Sequence, residues 1–148
     1  VKLKHLTAGA CAAALAVVLS AGMARANAVE KVRLEDKDGM MTLKATKTEL
    51  PAGKVTFEVS NAADSTSQHE MIVVGLTPGQ AAHLDKLPTV DDGVRLDEEK
   101  INDRGEVSEL DPGQSGSLTI TLKPGLYMLL CNVPGHFSAG MHELIHVK

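Results

Sequence analysis

The 148-residue sequence has no Trp, one Tyr, two Phe and only two Cys. With so few aromatics, any core must be filled mainly by aliphatic side chains. Two Cys are too few for a disulfide scaffold. Cations are also in deficit: 15 Lys and Arg against 19 Asp and Glu give a net charge of −4. Neutralising phosphates takes clustered Lys and Arg, so nucleic acid is excluded as the main partner. Wholesale disorder is excluded as well, because 43% hydrophobic and 23% charged residues is a globular composition. The length suits one domain, and there is no internal repeat or low-complexity stretch.

Lys2 and Lys4 precede an uncharged apolar run over residues 6–19, and Ala24-Arg25-Ala26 follows as a small-x-small cleavage site. This three-part pattern predicts a secretory signal peptide over 1–26 and a mature domain over 27–148. The run falls short of the roughly 20 residues that span a bilayer, so no stable membrane insertion is expected after cleavage. Cys11 lacks the preceding apolar stretch and the Leu of a lipoprotein site. Val1 is compatible with a bacterial alternative start codon, which makes the periplasm the expected location. Without the leader the chain loses three bases and no acid, and its charge becomes −7. Cys131 is then the single cysteine, in an oxidising compartment where an unprotected thiol oxidises or cross-links.

Val55, Phe57 and Val59 alternate with polar neighbours, as do Leu118, Ile120 and Leu122. Period-2 alternation predicts half-buried strands. Further strands are expected at 31–35, 41–45, 70–75, 126–131 and 143–147, separated by turns at Asp38-Gly39, Pro51-Ala52-Gly53, Pro112-Gly113 and Pro124-Gly125. Short strands with regular turns predict a β-sandwich or barrel. Residues 77–111 read as one long connection, with a short helix over 80–87 capped by Thr77. That segment holds ten acids and four bases, a net of −6, and so nearly all of the mature charge. Connections this long are usually functional or mobile; the plainer expectation is a solvated surface excursion.

Near the C-terminus, Cys131, His136 and Met141 recur at five-residue intervals between two expected strands. Pro134, Gly135 and Gly140 let that loop fold back on itself. His69 heads an apolar strand upstream. Each alone has an ordinary explanation: an inert buried thiol, a core Met, a satisfied strand His. Together they match two imidazoles and a thiolate in a plane with a weak axial thioether, the arrangement of blue-copper electron-transfer sites. Sulfur donors suit Cu(I) and imidazoles also suit Cu(II), so such a site reorganises little when an electron moves. Zinc is the main competitor, but its structural sites prefer more thiolates and rarely use Met. His83, His142 and His146 are not assigned to the metal.

Over most of residues 29–148 the sequence resembles the cupredoxins, the small blue copper family of plastocyanin, azurin, rusticyanin and sulfocyanin. The resemblance implies a first histidine ligand at His69, within Asn61…Gln68-His69-Glu70-Met71. It implies the cysteine ligand at Cys131, preceded by Gly125-Leu126-Tyr127-Met128-Leu129-Leu130, the second histidine at His136 and the axial Met at Met141. The implied fold is all-β, a Greek-key β-sandwich, here with a long, partly helical insertion. The implied function is periplasmic one-electron transfer by one Cu(I)/Cu(II) ion, with no enzymatic turnover. Copper oxidases need further copper sites with open coordination. A Cys–His nucleophile would leave His69 and Met141 unexplained. Two departures stand out. Glu70 occupies the position where plastocyanin-like members usually carry an Asn that ties the ligand loops together. The 77–111 segment is longer than in the smallest members. A buried Glu70 must be paired, protonated or hydrogen-bonded.

Residues 124–142 contain no Asp, Glu, Lys or Arg. Val133, Pro134, His136 and Phe137 are therefore expected to form an uncharged patch through which, by the resemblance, an electron passes at His136. Glu70, Asn132, Pro134 and Phe137 are candidates for supporting or docking roles. The expected partners are redox proteins such as a c-type cytochrome or a terminal oxidoreductase, steered by the acidic segment, and the protein is expected to be a monomer. The alternative is a copper-binding carrier or buffer in periplasmic copper handling. Met-rich tracts would favour that alternative, and the six Met form none.

Overall fold

The computed structural model describes residues 27–148; the expected leader, with Cys11, lies outside the described residues. The strands are β1 (Ala28–Lys37), β2 (Met40–Ala45), β3 (Glu49–Leu50), β4 (Gly53–Asn61), β5 (His69–Leu76), β6 (Thr89–Val90), β7 (Arg95–Leu96), β8 (Asn102–Leu110), β9 (Ser115–Leu122), β10 (Gly125–Leu130) and β11 (His142–Val147). They form one sheet in the order β2-β1-β4-β9, a second in the order β3-β11-β10-β5-β8, and a small β6-β7 ribbon. Six neighbouring pairs are antiparallel, while β1 runs parallel to β4 and β3 parallel to β11. All seven expected strands are present.

The alternation in β4 buries Val55, Phe57 and Val59 and leaves Lys54 and Glu58 in solvent. These side chains meet Met71, Val73, Leu129 and Ile145 of the second sheet in one shared core. Strands β5 and β10 instead read as near-continuous apolar runs and are buried along almost their whole length. Two-sided burial is the reason: continuous apolar strands are those covered on both faces. On the outer face, Ile72, Val74, Met128 and Leu130 meet Leu87, Leu96 and Ile101 from the 77–101 connection. The connection is therefore a cover for the second sheet. Burying side chains such as these three stabilises by about 1.5–3 kcal/mol each, which a solvated excursion would not contribute.

Two boundaries of the 77–111 reading need correction. Residues 102–110 are β8, an edge strand paired with β5 across two register irregularities. Only Val107 and Leu110 of this strand are buried, and charged residues on an edge blunt unwanted pairing, so apolar alternation does not reveal it. The helical part is also short. Helix α1 covers Pro78–Ala82 with Thr77 as its cap, as expected, in a capping box with Gln80, but it stops at His83 (φ −142°, ψ 64°). Two 3-10 turns, Leu84–Lys86 and Asp91–Gly93, complete the helical content of the connection.

Candidate metal centre

Strand pairing brings the donors together. Strands β5 and β10 are antiparallel neighbours with Leu130 opposite Ile72, so Cys131, just past β10, lies beside the start of β5, where His69 stands. The Glu70 N–H points at Cys131 Sγ over 3.5 Å. The loop from Cys131 then closes on itself: the Cys131 N–H donates to the Met141 carbonyl (3.0 Å), and the Met141 N–H to the His136 carbonyl (3.0 Å). Gly135 and Gly140 take positive φ values of 86° and 93°, which lets so tight a loop form.

Nδ1 of His69 lies 3.1 Å from Nδ1 of His136, and Cys131 Sγ lies 3.4 Å from the latter and 3.9 Å from the former. The donor atoms of all three residues fall within 4.8 Å of one another. His69, Cys131 and Met141 are fully sealed at 0% exposure, and His136 retains 5%. The structure thus gathers three of the four expected donors directly. It seals Met141 in the same core as Cys131. His83 and His146 are exposed and outside the cluster. His142 is half-buried and stacks on Phe137 at 5.1 Å between ring centroids.

The electrostatics fit a cation. Burial pushes the Cys131 thiol up to about 11, and the nearby Glu70 adds to that rise against opposing backbone hydrogen bonds. Burial also lowers both imidazoles, and the proximity of His69 lowers His136 further. Burial thus favours the neutral form of all three donors. A bound metal deprotonates a coordinating thiol outright. Two imidazoles, one thiolate and one thioether suit copper better than zinc.

Two acids support the donors. Glu70 Oε1 accepts the Asn132 N–H at 3.1 Å, so it links the two ligand-bearing segments, as the resemblance expects of an Asn at this position. Burial raises the Glu70 carboxyl to about 7, Glu98 adds to the rise, and the Asn132 hydrogen bond opposes it. Asp36 is the functional residue that sequence reasoning missed: its Oδ1 lies 3.3 Å from Nε2 of His69. A signal existed. Asp36 continues the inward phase of Val32 and Leu34 along β1, and an acid in that phase is out of place unless it has a task.

The 77–101 cover is fastened to the metal loop. The Asn132 side chain accepts the Leu96 N–H (2.8 Å), donates to the Leu96 carbonyl (3.1 Å) and donates to Glu98 Oε1 (2.7 Å). The Gly135 N–H donates to the Val94 carbonyl at 3.1 Å. Phe137 packs with the cover's apolar cluster, so it anchors the loop, while Pro134 is exposed. Asn132→Ala leaves the buried Leu96 amide without its partner. It should destabilise the protein by about 1–3 kcal/mol in urea titration; a loss below about 0.5 kcal/mol would show that the clamp is dispensable.

Residues 30–148 match the family of copper binding proteins known as the plastocyanin/azurin family. The chain belongs to that family, the cupredoxins. Among solved structures, this cupredoxin is similar to dithionite-reduced auracyanin from the photosynthetic bacterium Roseiflexus castenholzii. The identity is 28% over 82% of this chain and 96% of that one, with a TM-score of 0.55. It is similar to auracyanin A, a "blue" copper protein from Chloroflexus aurantiacus, at 25% identity over 82% and 99% of the two chains, with a TM-score of 0.56. Rusticyanin from Thiobacillus ferrooxidans shares the fold at 17% identity over 82% and 77%, with a TM-score of 0.57. No curated protein matches the chain. Family and donor set together assign one copper ion to this site.

Proposed function

We propose that the protein is a periplasmic type 1 copper protein that carries single electrons between redox partners and catalyses no reaction itself. In this reading His69, Cys131, His136 and Met141 would hold the ion, the sulfur donors suiting Cu(I) and the imidazoles also suiting Cu(II). One observation carries it: the donors are sealed inside a tied loop and a close-packed β-sandwich, and of the four only His136 retains any exposure, at 5%. Packed interiors resist displacement, so the donors keep their places when the ion changes charge. The leader-like residues 1–26 support the location. A copper buffer, by contrast, gains from donors that open to an acceptor.

The test is copper retention. The copper-loaded protein should pass through repeated ascorbate reduction and ferricyanide oxidation beside an excess of Cu(I) chelator and keep its metal. Rapid loss to the chelator would favour copper handling instead.

The partner reading, a c-type cytochrome or a terminal oxidoreductase, is supported by charge. Glu70, Glu98, Glu106 and Glu109 line a cleft of about 440 Å³ that also borders Val133 and Pro134 of the metal loop. Among the described residues Arg95 is the one cation lining that cleft, and it is paired with Asp91. Redox encounters are small and weak, and steering by surface charge raises association rates by about 10–10³-fold at low salt. The electron-transfer rate with a basic cytochrome should therefore fall roughly tenfold or more from low to physiological salt. Glu98→Gln/Glu106→Gln/Glu109→Gln should flatten that dependence. Identical salt responses with basic and acidic partners would exclude steering.

A further inference from the structure

One buried carboxylate touches the metal site without being a donor. Asp36 is 7% exposed, and the loop leading into β5 wraps around its carboxylate. Thr66 donates from its N–H to Oδ1 (2.7 Å) and from its hydroxyl to Oδ2 (2.6 Å). Ser67 donates from its N–H to Oδ1 (3.4 Å) and from its hydroxyl to Oδ2 (2.7 Å). The Asp36 N–H donates in turn to Ser65 Oγ at 3.3 Å. His69 Nε2 is then the fifth group around the same carboxylate, at 3.3 Å from Oδ1.

An ionised carboxylate only accepts hydrogen bonds, and a neutral imidazole has one donor and one acceptor nitrogen. Facing a carboxylate already ringed by donors, His69 Nε2 must be the nitrogen that carries the proton. The proton-free nitrogen is then Nδ1, the atom that faces His136 and Cys131. A carboxylate on the far nitrogen fixes both the rotation and the tautomer of a metal-binding imidazole. No described residue does this for His136, so the two imidazoles are not equivalent.

The geometry points to Asp36 as a positioning residue that holds the His69 lone pair towards the metal and, as a fixed negative charge, favours the oxidised ion over the reduced one. This rests on the copper reading above and adds to it a determinant of potential carried by β1, outside the ligand loops.

Two measurements test it. In the metal-free protein, nitrogen NMR of the His69 ring should find the proton on Nε2; a proton on Nδ1 would overturn the assignment. In the copper-loaded protein, Asp36→Asn keeps the shape and an oxygen acceptor but removes the charge. It should raise the midpoint potential, shifting the oxidised-to-reduced ratio at fixed potential by roughly three- to tenfold, or about 30–60 mV for a one-electron couple. Thr66→Val removes one hydroxyl donor and leaves the Asp36–His69 contact; it should lower stability while shifting that ratio less than Asp36→Asn does. A potential that is unmoved or lowered in Asp36→Asn, with the visible band intact, overturns this proposal and leaves the carrier reading standing. Absence of the visible band from the wild-type protein overturns the carrier reading, while the metal-free NMR result still decides the tautomer. If Asp36→Asn does not fold, that NMR result decides alone.

Discussion

Replacing Cys131 by Ser should leave a folded protein without its visible thiolate-to-copper band and with copper held more than about 100-fold less tightly. That figure is the upper end for mutating an outer-shell partner, which a lost ligand should exceed. Cys131 is sealed, lies within 4 Å of both imidazole Nδ1 atoms and contributes the only sulfur among the described residues that can ionise. A serine hydroxyl is a harder donor, far less acidic, and provides no low-energy sulfur-to-metal transition. The fold should tolerate the change, because the Ser oxygen can still accept the Glu70 N–H that now points at the sulfur. Visible absorption and chelator competition measure the two effects separately. A variant that kept both the band and the affinity would remove Cys131 from the site.

Phe57→Ala should destabilise the protein by about 3–5 kcal/mol. Phe57 is at 0% exposure in the centre of β4, hydrogen-bonded to neighbours on both sides, and it sits in the core shared by the two sheets. The scarcity of aromatics makes this position weigh more. Tyr127 uses its hydroxyl on the Lys123 carbonyl, and Phe137 is half-buried at the metal loop, so Phe57 is the one fully sealed aromatic ring among the described residues apart from His69. An aliphatic core has no similar ring nearby to fill the cavity. Urea titration should show the midpoint falling while the visible spectrum of the folded fraction stays unchanged, since β4 carries no donor. A loss below about 1 kcal/mol would mean that the core collapses around the gap.

These expectations differ in how far the sequence alone supports them. Phe57 was legible because strict alternation in β4 marks one buried face. The metal loop was legible because three donors and their enabling glycines fall within one short stretch, residues 131–141. Strand β8 was not, because an edge strand with two buried positions looks like any charged segment. The 77–111 segment misled for a related reason. Its acids dominate the composition, while Leu87, Leu96 and Ile101, which do the covering, are too widely spaced to form a pattern. Glu30 and Asp36 both occupy the inward phase of β1. Glu30 is explained by the Thr46 hydroxyl (2.7 Å) and the Lys47 N–H (2.8 Å), which it accepts to hold the turn after β2. Asp36 could be explained only once a loop from elsewhere in the chain was seen folded over it.

The central claim is that the sealed His69, Cys131, His136 and Met141 cluster is a one-electron copper site. The most direct test is the visible and EPR spectrum of the Cu(II)-loaded protein, recorded through a redox titration. An intense visible band that vanishes and returns reversibly with one electron, in step with the EPR signal, is the predicted result. A colourless copper complex, or a band that does not return on reoxidation, would contradict it.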